Sequence, residues 1–336
     1  MHPHILFSVA HFGLDLIGPD GRLYGSIFRN NQAQDVALDS QGHVKTTFPL
    51  SPGLRSLLPN GTLLAAGGDE GRIHGFGSDG APLWTDANVG LFKSAVPLAA
   101  NDNTFYAPFV GHAFDHTSGL DMVAASGSII RRIEPGIPTF AVSLASNGTI
   151  YAILQTSTSN QDSLQAFTPE GSRLWKRHLG FLPFQYGGCK CPIVGESSEV
   201  YVSDGQRVLA YRPNGHLAWR YGVAGGAASM ALRSDGVLLV AGSHDLNALS
   251  REEKMLWRLR LSKRADEWAA ALIVDRRGTA YVEGSDGQVR VVSNTGKILV
   301  RLKTGGSHIG PVPKLGLSPN GDLVVAGTDG TTRVYG

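Results

Sequence analysis

The stretch PEGSRLW, residues 169–175, returns almost unchanged as PNGHLAW at 213–219, and in weaker form as SDGAPLW at 78–84 and REEKMLW at 251–257. The chain has five tryptophans, and four of them, Trp84, Trp175, Trp219 and Trp257, close this phrase. So large a residue at a fixed place in a recurring phrase marks a repeated structural unit.

Working outward, each copy holds an apolar strand, a turn ending in Gly, and a strand such as TLLAAG (62–67) or DLVVAG (322–327). A loop, a third strand, a second Gly turn and a fourth strand carrying the Trp complete it. Eight copies can be laid end to end, with the first turn at Gly21, Gly61, Asn103, Gly148, Ser198, Gly236, Gly278 and Gly321. The resulting spacings of 40, 42, 45, 50, 38, 42 and 43 residues suit a four-stranded propeller blade, not helical or leucine-rich solenoids. The 43 glycines, many in DG, NG and EG pairs, agree with short strands and tight turns. Two-residue hairpins are expected at Asn60-Gly61 and Asn147-Gly148, where Gly supplies the positive φ. Both sites also match the N-glycosylation pattern, but turn chemistry accounts for them.

The termini test this scheme. The last copy supplies PVPKLGLSPNG (311–321), DLVVAG and TTRVYG (331–336), then stops one strand short. HILFSVAH, residues 4–11, lies before the first complete copy and is surplus to it. The expected fold is therefore all-β, an eight-bladed β-propeller of four-stranded antiparallel blades. Residues 4–11 form the outer strand of the last blade and remove an unpaired edge. One propeller domain spans 1–336, with repeats beginning near 12, 52, 93, 138, 188, 226, 268 and 310. Trp84, Trp175, Trp219 and Trp257 then sit on outer strands as structural wedges between blades, each burying some 150–250 Å².

The 30 basic and 28 acidic residues nearly balance, so no field of one sign argues for nucleic acid. Arg258, Arg260, Lys263 and Arg264 read as charges guarding a sheet edge. No apolar run is long enough for a membrane span, and MHPHILFSVAHFGLD lacks the features of an export signal. Two cysteines provide no disulfide framework. A monomer is expected.

The pattern Ala, Gly five residues later, Trp four beyond, as in Ala166-Gly171-Trp175 and Ala210-Gly215-Trp219, resembles the tryptophan-docking repeat of pyrroloquinoline quinone (PQQ)-like propellers. Ala248, Glu253 and Trp257 keep the spacing without the Gly, and ALDSQG (37–42) is followed by Thr46 where Trp is expected. The resemblance covers nearly the whole chain and implies a fold more than an activity, because the superfamily includes quinone-dependent dehydrogenases, BamB-type assembly factors and carbohydrate-active proteins. It also implies a periplasmic or extracellular setting if a leader has been removed. Quinoprotein dehydrogenases are longer and stack an adjacent cysteine pair on the quinone. Here Lys190 separates Cys189 from Cys191, and no cofactor is expected.

On an inner strand, Cys189 and Cys191 face one side at about 6.6–6.8 Å, near the limit for a disulfide. Two small side chains packed near the axis are the simpler reading, since a soft metal lacks a complete ligand set. The loop VGHAFDHTSGLD (110–121) is longer than its counterparts, and His112, Asp115 and His116 are of metal-ligating types at an unspecific spacing.

Alignment on the first turn brings His11, Ser51, Lys93, Pro138, Gly188, Gly226, Trp268 and Pro311 to equivalent positions at the channel mouth. Tyr186, Lys190, Glu267 and His308 fall around them. Aromatic, cationic and histidine groups converging there suit a peptide carboxylate or an anionic carbohydrate. The ligand-binding candidates are His11, Lys93, His112, His116, Tyr186, Lys190, Trp268 and His308. No triad, carboxylate dyad, phosphate loop or complete metal set appears, as expected of a binding module. The first expectation is a non-catalytic scaffold for a protein or peptide partner. The alternative is a polysaccharide lyase in which Lys93 or Lys190 neutralises a uronate and Tyr186, His11 or His308 abstracts the proton.

Overall fold

The computed structural model describes the chain except residues 1–2, 31, 50–52, 68–71, 86–96, 110–117, 157–160, 181–191, 225, 262–268, 305–313 and 328. The described residues form strands joined by turns, β1 to β32. β1 is Ile5–Ala10, and blade 1 follows as β2 (Phe12–Ile17), β3 (Leu23–Arg29), β4 (Gln32–Leu38) and β5 (Val44–Thr47). Blade 2 is β6 (Leu54–Leu57), β7 (Leu63–Gly67), β8 (Arg72–Phe76) and β9 (Pro82–Thr85). Blade 3 is β10 (Leu98–Ala99), β11 (Thr104–Phe109), β12 (Gly119–Ala124) and β13 (Ile129–Ile133). Blade 4 is β14 (Thr139–Leu144), β15 (Ile150–Thr156), β16 (Gln161–Phe167) and β17 (Arg173–Gly180). Blade 5 is β18 (Ile193–Val194), β19 (Val200–Ser203), β20 (Arg207–Tyr211) and β21 (Leu217–Gly222). Blade 6 is β22 (Ala227–Leu232), β23 (Leu238–Gly242), β24 (Asp245–Leu249) and β25 (Met255–Arg260). Blade 7 is β26 (Ala269–Val274), β27 (Ala280–Gly284), β28 (Gln288–Val292) and β29 (Ile298–Lys303). Blade 8 takes β30 (Lys314–Leu317), β31 (Leu323–Ala326) and β32 (Thr331–Tyr335) from the C-terminus.

Each blade is a four-stranded antiparallel sheet, and the eighth has the order β1-β32-β31-β30. This is an all-β, eight-bladed propeller whose last blade is closed by the N-terminal strand. Register across that closure runs from Ile5 opposite Tyr335 to Ala10 opposite Thr331. His4 and Gly336 exchange backbone hydrogen bonds at 3.3 and 3.1 Å. The buried Thr332 hydroxyl donates to the Phe12 carbonyl oxygen at 2.8 Å, tying the seam to the strand that follows it.

The turns explain the repeat. All eight first-turn positions have positive φ, including Asn103 at 62° and Ser198 at 61°. They are not the two-residue hairpins expected, however. Leu58 and Thr62 close the Asn60-Gly61 turn, and Gly61 N–H bonds back to Leu58, leaving three residues in the loop. Asn60 and Asn147 stay out of the left-handed region. Each instead accepts the N–H two residues on, from Thr62 and Thr149, at 3.0 Å. A type I turn followed by a left-handed Gly is the physical reason, since that arrangement needs only one positive φ.

The chain divides into two compact units, Met1–Gly21 with Pro183–Gly336, and Arg22–Leu182. Within each, the core is a series of slabs between successive blades. In the first unit Tyr201, Val208 and Trp219 pack on Leu238, Val240 and Leu249. Leu246 and Ala248 likewise pack on Leu272, Val282 and Val292, and Val289, Val291 and Leu302 on Leu323, Val325 and Tyr335. In the second unit Leu64 and Ile73 meet Phe105, Phe109 and Val123, and Tyr106, Leu120 and Ile133 meet Ile150, Leu154 and Phe167. The second and third strands, such as β19, β20, β23 and β24, are buried on both faces and read as nearly continuous apolar runs, whereas the outer strands alternate with solvent.

Candidate functional site

Inter-blade joints set the spacing of the blades, and the tryptophan phrase builds several of them. Ala166, Ala210 and Ala248 stand directly opposite Trp175, Trp219 and Trp257 across the third and fourth strands. A small residue there lets the indole lie flat over the sheet. Trp84 stands opposite Gly75, where a Cβ would come within 2.3 Å of the ring. It stacks at 6° to Phe105, whereas Trp175 and Trp219 tilt at 49° and 43° to Tyr151 and Tyr201. The indole N–H then reaches the next blade's outer turn: Trp84 donates to Ala125 O at 2.7 Å and Trp219 to Arg251 O at 2.6 Å. Thr46, standing where Trp is missing, reaches Ser78 O in the equivalent turn at 3.5 Å.

At the other end of blades 5, 6 and 7, the residue after the outer strand is tied to the loop between second and third strands. Val223 N–H bonds Gln206 O, Leu261 bonds His244 O and Thr304 bonds Gly287 O, at 2.9, 2.7 and 2.9 Å. Acid–arginine pairs brace these loops. In GSDGQVR (284–290) and GTDGTTR (327–333), Asp286 holds Arg290 and Asp329 holds Arg333, each at 2.5 Å. The Arg333 guanidinium keeps the Asp329 carboxyl below its ordinary range, chiefly through that hydrogen bond. Between third and fourth strands, the fully buried Asp121 accepts from Nε and Nη2 of Arg132 at 2.7 and 2.9 Å, and Asp245 accepts from Arg258. The repeated Gly-x-Asp-Gly-x-x-Arg phrase was the sequence signal for the first two pairs.

One buried group has no such brace. Glu283 is 0% exposed at a position where Ala66, Ala241 and Ala326 stand in sibling strands. Neither of its carboxyl oxygens has a hydrogen-bond partner among the described residues. Burial pushes its pKa up to about 8, with Asp286 adding to the rise and the neighbouring Thr304 hydroxyl opposing it.

Of the expected ligand-binding residues, His11 is described. It is exposed in the single-residue turn between β1 and β2, with φ of 56°, at the seam. Lys93, His112, His116, Tyr186, Lys190, Trp268 and His308 lie outside the described residues, as do Ser51, Asp115, Gly188, Cys189, Cys191, Glu267 and Pro311. Pro138 and Gly226 precede β14 and β22, the innermost strands of their blades. Among the described residues no group of three His, Cys, Asp or Glu is placed to hold a metal ion. No described helix is long and apolar enough to cross a membrane.

Comparison with solved structures gives the fold. BamB from Moraxella catarrhalis is similar over 99% of both chains, with a TM-score of 0.67 at 12% identity. The C-terminal WD40 domain of Sif2 matches 99% of this chain and 97% of its own, with a TM-score of 0.72 at 11% identity. Streptogramin B lyase matches over 98% and 97%, with a TM-score of 0.53 at 11% identity. No curated protein sequence matches. The sequence model described as outer membrane protein assembly factor BamB matches residues 160–335, more than half of the chain. With its docking tryptophans and its eight blades, the chain belongs to this BamB family of PQQ-like β-propellers.

Proposed function

We propose that this chain is a non-catalytic scaffold that captures a protein or peptide on the face carrying the channel-mouth loops. The observation that supports it most is the match to an assembly-factor family over residues 160–335. The architecture suits the task. Docked indoles and acid–arginine braces hold most of the blades, and a rigid frame that preorganises its loops lowers the ordering cost of binding. In this reading His11, Lys93, Lys190 and His308 contribute to recognition of a carboxylate-bearing partner.

Affinity capture with the whole chain from its own cells tests the proposal. One stoichiometric partner should be retained, and substitutions at His11, Lys93, Lys190 and His308 should release it. Recovery of background proteins alone, indifferent to those substitutions, would count against it.

A further inference from the structure

Thr304 joins loops of two neighbouring blades. Its N–H donates to Gly287 O at 2.9 Å, in the loop between β27 and β28. Its carbonyl oxygen accepts from the Arg333 guanidinium at 3.0 Å, and that guanidinium also holds Asp329, in the loop between β31 and β32. The residue is fully buried, yet its hydroxyl has no hydrogen-bond partner among the described residues. Beside it lies the Glu283 carboxyl, equally buried and equally without a partner there. Sibling strands place Ala at this position, so packing alone does not ask for an acid. A buried polar group left unpaired in this way calls for a reason.

Register sets Glu283 with Val289 and Leu302 on the face packed against Leu323, Val325 and Tyr335 of blade 8. No described group on that face stands ready to receive a carboxylate. Within blade 7, β26 brings Ala271 opposite Glu283. Arg290 is on the reverse face by register and gives both terminal nitrogens to Asp286, while Arg301 and Lys303 flank Leu302 on the exposed side. From blade 8, Arg333 is engaged by Asp329 and Thr304, and the Tyr335 hydroxyl donates to Lys303 O at 3.3 Å. Lys314 shares the register of Ala326 and Thr332, on the opposite face. Asp286 adds only repulsion. The neutral acid therefore fits this joint, whereas the anion needs water that enters only if the blades part.

We propose that Glu283 is a proton-operated latch: protonated, it lets the joint between blades 7 and 8 close so that Thr304 holds both loops, and on losing its proton it releases them together. The inference rests on the scaffold reading above, which assigns capture to the face carrying these loops, and adds a control to it. The direction follows from linkage. The closed joint keeps the proton up to about pH 8, whereas an opened one exposes a Glu that loses it near 4.5. Opening is thus favoured progressively across that window and levels off above it.

Hydrogen exchange on the whole chain, read at the Thr304 and Gly287 amides and corrected for intrinsic rates, tests the latch. Protection should fall about tenfold per pH unit from about pH 5 to 8. The Val223 amide, which makes the equivalent bond to Gln206 O in blade 5, should keep its protection. Glu283→Gln should flatten the profile at Thr304. Glu283→Ala, which restores the sibling residue, should flatten it too and guards against a packing fault of the amide. A slope that survives either substitution, an equal slope at Val223, or a flat profile in the unsubstituted chain would each overturn the proposal. With the joint closed, near pH 5, both variants should capture the channel-face partner as the unsubstituted chain does, so failure of the latch and failure of the scaffold reading are separable.

Discussion

The indole N–H of Trp257 donates a 2.9 Å hydrogen bond to the carbonyl oxygen of Asn294, in the outer turn of the following blade. The same ring lies so close to Gly296 that a Cβ there would meet it at 2.7 Å. One side chain thus sets both the spacing and the register of blades 6 and 7. Trp257→Phe keeps a ring but removes the donor, and should lower unfolding stability by about 1 kcal/mol. Denaturant titration checks the value, with an unchanged midpoint contradicting the role.

Glu253 stands where other outer turns have glycine and is held at φ of 69°. A non-glycine residue in this region is strained by contact of its Cβ with the backbone. The side chain is exposed. Glu253→Gly should therefore stabilise the chain by about 1 kcal/mol, a rise in melting temperature that calorimetry would detect. A fall would mean that the carboxylate makes a contribution larger than the strain.

Glu283 gives stability a pH dependence. Folded, it keeps its proton up to about pH 8, whereas an unfolded Glu loses it near 4.5. Folding binds a proton between those values, so stability falls as pH rises from about 4.5 to about 8 and then levels off, by up to about 1.4 kcal/mol per unit. On the blade facing it, the Arg333 guanidinium is already engaged by Asp329 and the Thr304 carbonyl. Glu283→Gln should flatten this slope, measured by chemical denaturation from pH 5 to 9. Parallel curves for the two proteins would show that the carboxyl ionises without penalty.

Much of the fold is legible in the sequence because a left-handed turn residue is a local steric demand. The eight first-turn positions stand out even where Asn103 and Ser198 replace Gly, since the spacing carries them. Loop length was less legible: Asn60-Gly61 looks the same whether the hairpin holds two residues or three. Glu283 was hidden because AYVEG alone reads as a strand with an alternating polar position; only superposition on TLLAAG and DLVVAG shows a carboxyl where Ala belongs. Lys93, Tyr186, Lys190, Trp268 and His308 lie outside the described residues, so their place at the mouth stays with the proposal.

Closure of the eighth blade requires the two chain ends to share one sheet, with Ala10 directly opposite Thr331. Cysteines at such facing positions are within disulfide reach. The most direct measurement is oxidation of an A10C, T331C variant with Cys189 and Cys191 changed to serine, followed by mass spectrometry of proteolytic fragments. The two terminal peptides should be recovered covalently joined from the monomer. Recovery of both as free thiols under conditions that oxidise an unhindered pair would contradict the closure of the eighth blade.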